Sequence, residues 1–398
     1  MLPLAMLMQM ATSPGQTYGI SCFNDSILSE FSLSRSELGW AFLLGTLLGC
    51  LPLSLVGAAA DRWGIRRVIG AVAFLLGGAC MFASQVSGWT SLFVSLLLLR
   101  MLGQSALTLL AGNTVSMWFR HKLGLAAGLM SLSVAMAFAT YPMLVLRGID
   151  AWGWRWTYIA AGAAVWCVAL PLVFVFYRNR PEDIGQLPDG ERKPAKEDAQ
   201  GRLPNSDWTL GEAAKSKTFW CLAVLTAMWG MAGTAIIFHA LPLMQSCGLS
   251  RDQAASFYGL FGGCMAIMQL CGGYLADRIP LNRLFCLSIL GFLAGNTWIL
   301  LDKSPTAAYG FPVLMGLSQG LFIAVNGTVW ARYFGRTHLG KIRGAVWMGP
   351  VAGSSVGPLA MGVAMDWSGG YDVCLQGFTV LWFGLLGVAW LTSPPRRA

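Results

Sequence analysis

Charge is scarce in this chain, and its scarcity excludes most soluble chemistry. Only 11% of the 398 residues are Asp, Glu, Lys or Arg, against roughly a quarter in a soluble domain. Histidine occurs three times. The ten cysteines are scattered singly, mostly in apolar runs. No pair has metal or redox-motif spacing, so they read as reduced packing residues. There is no nucleophile–base pair, and no phosphate-cradling Gly loop followed by Lys and Ser/Thr. These absences argue against an enzyme, a cofactor, a metal centre and a built-in ATP motor. The net charge of +9 would suit nucleic acid only if it lay on one soluble surface, and no such cluster is evident.

What fills the chain is apolar. Hydrophobic residues make up 56%, mean hydropathy is +0.59, and there are 48 glycines. Small residues let helix backbones approach closely in lipid, where apolar burial gives little drive. Spans of about 20 apolar residues, long enough to cross a bilayer, predict helices near 2–23, 38–60, 68–87, 90–118, 124–147 and 155–177. After a hydrophilic stretch come 218–246, 252–276, 283–301, 306–333, 341–365 and 371–392. The expectation is an all-α, multi-pass membrane protein with twelve transmembrane helices. Its units are a six-helix bundle over 1–177, a linker over 178–217 and a second bundle over 218–398. The linker has too little apolar content for a core and reads as a tether. The first span begins almost at Met1, which leaves no room for a cleavable signal peptide.

The two bundles are copies. Gly57-Ala-Ala-Ala-Asp61-Arg62-Trp-Gly64-Ile-Arg66-Arg67 returns as Gly273-Tyr-Leu-Ala-Asp277-Arg278-Ile-Pro-Leu-Asn282-Arg283. Asp61 and Asp277 are 216 residues apart, as are Leu123-Gly124 and Leu339-Gly340. So long a repeat in an apolar chain points to two pseudo-symmetric halves that rock around a substrate. Lys and Arg concentrate on one set of loops: Arg62, Arg66, Arg67, Arg120, Lys122, Arg278, Arg283, Arg332, Arg336, Lys341 and Arg343. The positive-inside rule then places both termini and the linker in the cytoplasm, with the chain in the inner or plasma membrane.

Several segments resemble the major facilitator superfamily, over nearly the whole chain. The Gly57–Arg67 loop resembles its signature between helices two and three, and Arg100-Met-Leu-Gly103-Gln104 its fourth-helix motif. Trp118-Phe119-Arg120, Gly153-Trp154-Arg155-Trp-Thr-Tyr158 and Arg178-Asn-Arg180-Pro181-Glu182-Asp183-Ile-Gly185 are similar to the branch of monocarboxylate transporters and oxalate/formate antiporters. The resemblance implies the major facilitator fold and a secondary carrier of a small organic solute, a carboxylate anion by this branch, working by alternating access. It also implies a gating role for Asp61 with Gly57, Arg62 and Arg66, and a weaker one for Asp277 and Arg278. The second loop departs from the first, with Pro280 for Gly64 and Asn282 for Arg66. In the monocarboxylate branch an arginine in helix eight commonly meets the carboxylate, and here that place falls near Gln269.

Ionisable groups within the spans are functional candidates by default. Arg100 lies roughly 12–15 Å along its helix and must find acceptors inside the bundle. Helix one offers Gln16, Thr17 and Tyr18 after the breaker Pro14-Gly15, which would expose carbonyls to a central cavity. Arg100 is therefore either a staple between helices four and one or an anion attractor. His239 in helix seven titrates near neutral pH and would serve a coupling proton or a packing contact. Gln104, Asn113, Tyr141, Gln269, Gln319 and Asn326 complete the polar set, each a substrate contact or helix glue. The run Gly353-Ser-Ser-Val-Gly357-Pro358 reads as close helix packing with a proline kink. Two other functions fit the same composition: efflux of amphipathic compounds, and a non-transporting membrane sensor.

Overall fold

The computed structural model describes residues 1–119, 123–186, 208–335 and 339–395. They divide into two compact units, Met1–Ala199 and Gln200–Ala398, each a bundle of six helical rods with no strand among the described residues. In the first unit the rods cover 2–31, 35–63, 65–83, 89–118, 123–152 and 154–176. In the second they cover 217–245, 251–278, 281–301, 305–334, 339–368 and 372–391. Among the described residues, eight helical stretches are long and apolar enough to cross a membrane, and one of them, 128–176, runs through rods five and six. The other rods are interrupted or carry more polar residues.

The repeat sets where rods begin. Arg35 and Arg251, Ile65 and Leu281, Trp89 and Pro305, and Leu123 and Leu339 each open a helix, 216 residues apart. Local chemistry explains some of these starts. Ser34 and Ser250 both accept from the backbone N–H three residues on, and Glu37 and Gln253 reach back to close the two capping boxes. Ser304 caps the helix whose first residue is Pro305.

Three boundaries differ from those expected. The first rod does not stop at residue 23. It breaks at Ser13–Gly15, resumes at Thr17–Ser21, and runs on through Asn24–Phe31. The second rod starts earlier, at Arg35, and is interrupted at Cys50–Pro52, where proline removes a ladder donor. The loop expected between rods five and six shrinks to one residue. Gly153, at φ +80°, joins the helices on either side, a conformation that glycine adopts without a Cβ penalty.

Inside each unit, glycines let rods touch backbone to backbone. A Cβ on Gly353 would stand 2.2 Å from the Ala227 carbonyl oxygen, and one on Gly357 2.0 Å from that of Met231. The glycine run of the eleventh rod is thus where it lies on the seventh. Large apolar side chains point outward instead, among them Leu51, Leu144, Leu301 and Val380. That is the pattern of a bundle whose outer surface is solvated by lipid.

Candidate functional site: a buried arginine at a broken helix

The site in the first unit begins with a break. Proline at 14 and glycine at 15 end the first helix in a short 3₁₀ turn, Ser13–Gly15. That turn lies against the fourth rod at Gly103. The Cα of Gly103 is 2.9 Å from where a Gly15 Cβ would be, and the Leu99 carbonyl oxygen is 2.1 Å from it. Neither glycine tolerates a side chain here. Across this contact the fourth rod widens into π-helical turns over Arg100–Leu107, and Thr108 Oγ1 donates to the Gly103 carbonyl 3.3 Å away. Such turns are rare and recur at functional sites.

Arg100 opens the widened stretch and is 1% exposed. Its Nε donates to Thr46 Oγ1 at 2.9 Å, and its Nη1 to the Gly15 carbonyl at 3.3 Å and Thr17 Oγ1 at 3.2 Å. The guanidinium lies over the Phe42 ring, 4.6 Å from its centroid. Nη2 is buried with no acceptor. Every one of these partners is neutral, and no acidic side chain is buried among the described residues. The fold therefore holds a positive charge in a dry place with part of its donor capacity unmet. That is costly unless a further acceptor completes it.

Other expected residues gather around it. Gln16 precedes the helix Thr17–Ser21, and its Nε2 donates to Thr12 Oγ1 at 2.9 Å and Thr108 Oγ1 at 3.3 Å. Tyr18 shares a hydrogen bond with Ser13 at 3.1 Å and packs on Phe138 and Tyr141. Tyr141 Cε1 is 3.0 Å from where a Gly19 Cβ would be. The Tyr141 hydroxyl and the Gln104 Oε1 are buried without a partner. Asn113 is half-buried further along the fourth rod, and no hydrogen bond ties it to the cluster among the described residues. Phe42 and Thr46 escaped sequence reading. Their signal was a phenylalanine and a threonine one helical turn apart in the second rod, but only the tertiary fold shows that Arg100 meets that face.

In the second unit His239, Gln319 and Asn326 each take a partner of their own. His239 ends the helix Lys217–Phe238. Its Nε2 lies 3.0 Å from the Pro358 carbonyl oxygen and its Nδ1 3.4 Å from the Tyr371 hydroxyl. A carbonyl only accepts, so Nε2 carries the proton in this arrangement. Gln319 Oε1 accepts from Trp229 Nε1 at 2.8 Å, and Asn326 Oδ1 from Trp330 Nε1 at 3.1 Å on its own helix. Gln269 Oε1 is buried without a partner.

The residues of the two repeated loops are placed unequally. Gly57 and Arg62 are part of the helix Leu53–Trp63. A Cβ on Gly57 would meet nothing within 4 Å. The backbone N–H of Arg66 donates to Asn179 Oδ1 at 3.0 Å, and its guanidinium to the Phe174 carbonyl. Asp277 pairs with Arg332, which also donates to the Ala276 carbonyl. Arg278 stacks on Tyr274 at 4.1 Å. The side chain of Asp61 lies outside the described residues, as do Arg120, Lys122 and Arg336.

Two six-rod bundles with apolar cores, large apolar side chains on their outer surfaces and helices long enough to cross a bilayer define an integral, multi-pass membrane protein. The Major Facilitator Superfamily profile matches residues 6–280 and 221–398, and the chain belongs to that superfamily of transporters. It is 24% identical over 342 residues to the uncharacterized MFS-type transporter YhjX of Escherichia coli, covering 85% of this chain and 82% of YhjX. It is 25% identical to human monocarboxylate transporter 11, covering 89% of this chain and 75% of that one. To the fujikurins efflux protein of Gibberella fujikuroi it is 25% identical, covering 80% and 65%. Among solved structures, its fold is similar to the nucleoside transporter NupG, with a TM-score of 0.71 at 11% identity, covering 98% of this chain and 97% of NupG. A bacterial homolog of human Spinster gives 0.69 at 17% identity, covering 98% and 91%.

Proposed function

We propose that this transporter moves a small organic carboxylate by alternating access, and that Arg100 is the group that attracts the anion. One observation carries the reading. The Arg100 guanidinium is buried among neutral partners with Nη2 lacking an acceptor, and a carboxylate oxygen is the ligand chemistry that meets both the charge and the geometry. Gln104, one turn on, and Tyr141 bring neutral polar atoms that are also unmet. Asp61 with Gly57, Arg62 and Arg66 serves as gate at the basic face, which this reading puts in the cytoplasm. The linker around 178–217 joins the two bundles as a tether.

Likeness to monocarboxylate transporter 11 supports the substrate class. Gln269 brings no charge to the place where that branch commonly has an arginine, so simple monocarboxylates such as lactate bind weakly and acids with further polar groups bind better. Likeness to an efflux protein supports a second reading, export of larger amphipathic compounds. Thermal unfolding of the purified protein with a panel of acids and their uncharged amides separates the two, because a ligand of the native state raises the melting temperature. Stabilisation by acids alone supports the anion reading. Equal stabilisation by acids and amides, or by apolar cations, overturns it.

A further inference from the structure

The second unit holds a recess of about 550 Å³ that the transport reading does not use. Three segments meet there: the turn Ile279–Arg283, the end of the tenth rod at Arg332 and Tyr333, and the Ser393–Pro394 segment after the last rod. Its walls are fixed. The Tyr333 hydroxyl donates to the Thr392 carbonyl at 3.3 Å, and Thr218 Oγ1 to the Ser393 carbonyl at 2.9 Å. Two arginines line it and, among the described residues, no acidic residue does. Arg332 gives one N–H to the Ala276 carbonyl and one to Asp277, which leaves three of its five donors without an acceptor among the described residues. Arg283 is exposed and makes no side-chain hydrogen bond among the described residues.

The first unit shows how the same register is filled when the chain supplies the acceptor itself. There Asn179 Oδ1 accepts from the Arg66 N–H at 3.0 Å, at the start of the helix Ile65–Ala83, and lies 2.8 Å from where a Gly64 Cβ would stand. In the second unit the helix Leu281–Leu301 starts after Pro280, with no side-chain cap and no acidic residue in its first turn. The residue 216 positions beyond Asn179 is Pro395, which has no side-chain acceptor. Two arginines and a helix start that lacks its own acceptor form one cationic recess. Ile279, Leu281 and Pro394 add apolar surface beside it.

We propose that this recess binds the phosphate group of an anionic ligand through Arg283 and Arg332. A phospholipid headgroup and free phosphate share that chemistry, and the apolar lining favours the lipid. The test is thermal unfolding of the full-length protein in a non-ionic detergent, with dioleoyl phosphatidylglycerol, dioleoylglycerol, or inorganic phosphate against chloride at equal ionic strength. Phosphatidylglycerol should raise the unfolding midpoint and dioleoylglycerol should not. Arg283→Gln, at an exposed position, should keep the midpoint without ligand and weaken phosphatidylglycerol binding about fivefold, as removal of roughly 1 kcal/mol per basic residue implies. A matching rise with inorganic phosphate, also lost in Arg283→Gln, would assign the site to the free anion. No stabilisation by either, equal stabilisation by dioleoylglycerol, or stabilisation untouched in Arg283→Gln would overturn the proposal.

Discussion

At the same register the two units carry different hubs. In the first, Ser13 stands in the helix break, and Arg100 reaches across to Gly15 and Thr17. In the second, the residue 216 positions beyond Ser13 is Trp229, inside an unbroken helix. Its indole stacks on Phe322 at 3.8 Å, meets Phe292 at 4.3 Å and Trp382 at 5.4 Å, and donates to Gln319. Where the first unit has Arg100, the second has Gly316, and a Cβ there would stand 2.4 Å from the Phe261 carbonyl oxygen. One scaffold thus supports a cationic hub and an aromatic one. A duplicated frame fixes rod starts and contact lines while leaving hub chemistry free to diverge. On this view the first unit carries affinity for an anion and the second carries stability.

The largest effect expected from that division falls on Arg100. Arg100→Lys keeps the charge and loses the planar fork that reaches Thr46, Gly15 and Thr17 together. Hydrogen bonds to a charged group contribute about 1.5–3 kcal/mol each to stability, so losing even one costs stability of that order and misplaces the donor offered to the anion. Counterflow in proteoliposomes should show Arg100→Lys nearly as impaired as Arg100→Ala. Near-normal flux in the lysine variant would mean that charge alone matters, and the staple would be dispensable.

Trp229→Ala tests the other half of the comparison. Removing a buried aromatic from a packed hub costs about 3–5 kcal/mol of stability. The loss should appear in the unfolding midpoint, while anion affinity in the surviving folded protein changes by less than a factor of about 2, as expected of two energetically independent hubs. A collapse of affinity without a loss of stability would move the substrate to the aromatic hub.

The frame was far more legible in the sequence than the hubs. The Asp61–Asp277 offset alone predicts several rod starts, because duplicated helices keep their caps and lengths. Arg100, Thr17 and the Pro14-Gly15 break could be read as one site, since a charge inside an apolar span has to find acceptors. Thr46 and Phe42 could not, because which face of the second rod meets Arg100 is a tertiary fact without local signal. The turn at Gly153 was hidden for the opposite reason. Arg147, Asp150 and Arg155 flank it and read as a loop of several residues, yet a single positive-φ glycine joins the two helices. Gln319 and Asn326 read as substrate contacts or helix glue, and only the fold shows that each accepts from an indole N–H.

The repeated loops sharpen the comparison further. Asp277 is exposed and paired with Arg332 within its own unit, whereas the residue 216 positions before Arg332 is Ser116, whose hydroxyl bonds its own helix at Gly112. Exposed pairs contribute about 0.2–1 kcal/mol, so Asp277→Asn should lower flux by no more than a few-fold. Asp61→Asn, in the copy that keeps the intact signature, should abolish most transport with little loss of folded protein. Equal losses in a flux assay would show that the loops are functionally equivalent.

The smallest effect is expected at the far ends of the rods, where the contrast recurs in miniature. In the first unit Glu30 accepts from Arg155 Nη2 at 2.6 Å and from Trp154 Nε1 at 2.6 Å, and Arg155 also donates to the Ser84 and Val86 carbonyls. The residue 216 positions beyond Arg155 is Tyr371, which meets His239 instead. Arg155, and then Trp154, hold the Glu30 carboxyl below the usual carboxylate range. A carboxylate whose folded pKa is depressed adds stability above its unfolded value, near 4.3, and loses it as pH falls through the folded value. The pair is well exposed, so its worth is about 0.2–1 kcal/mol. Glu30→Gln should therefore lower the melting temperature slightly at pH 7, and the gap to the parent should close below about pH 4. A gap of constant size from pH 7 down to pH 3 would show that Glu30 acts by shape and neutral hydrogen bonding, not by charge.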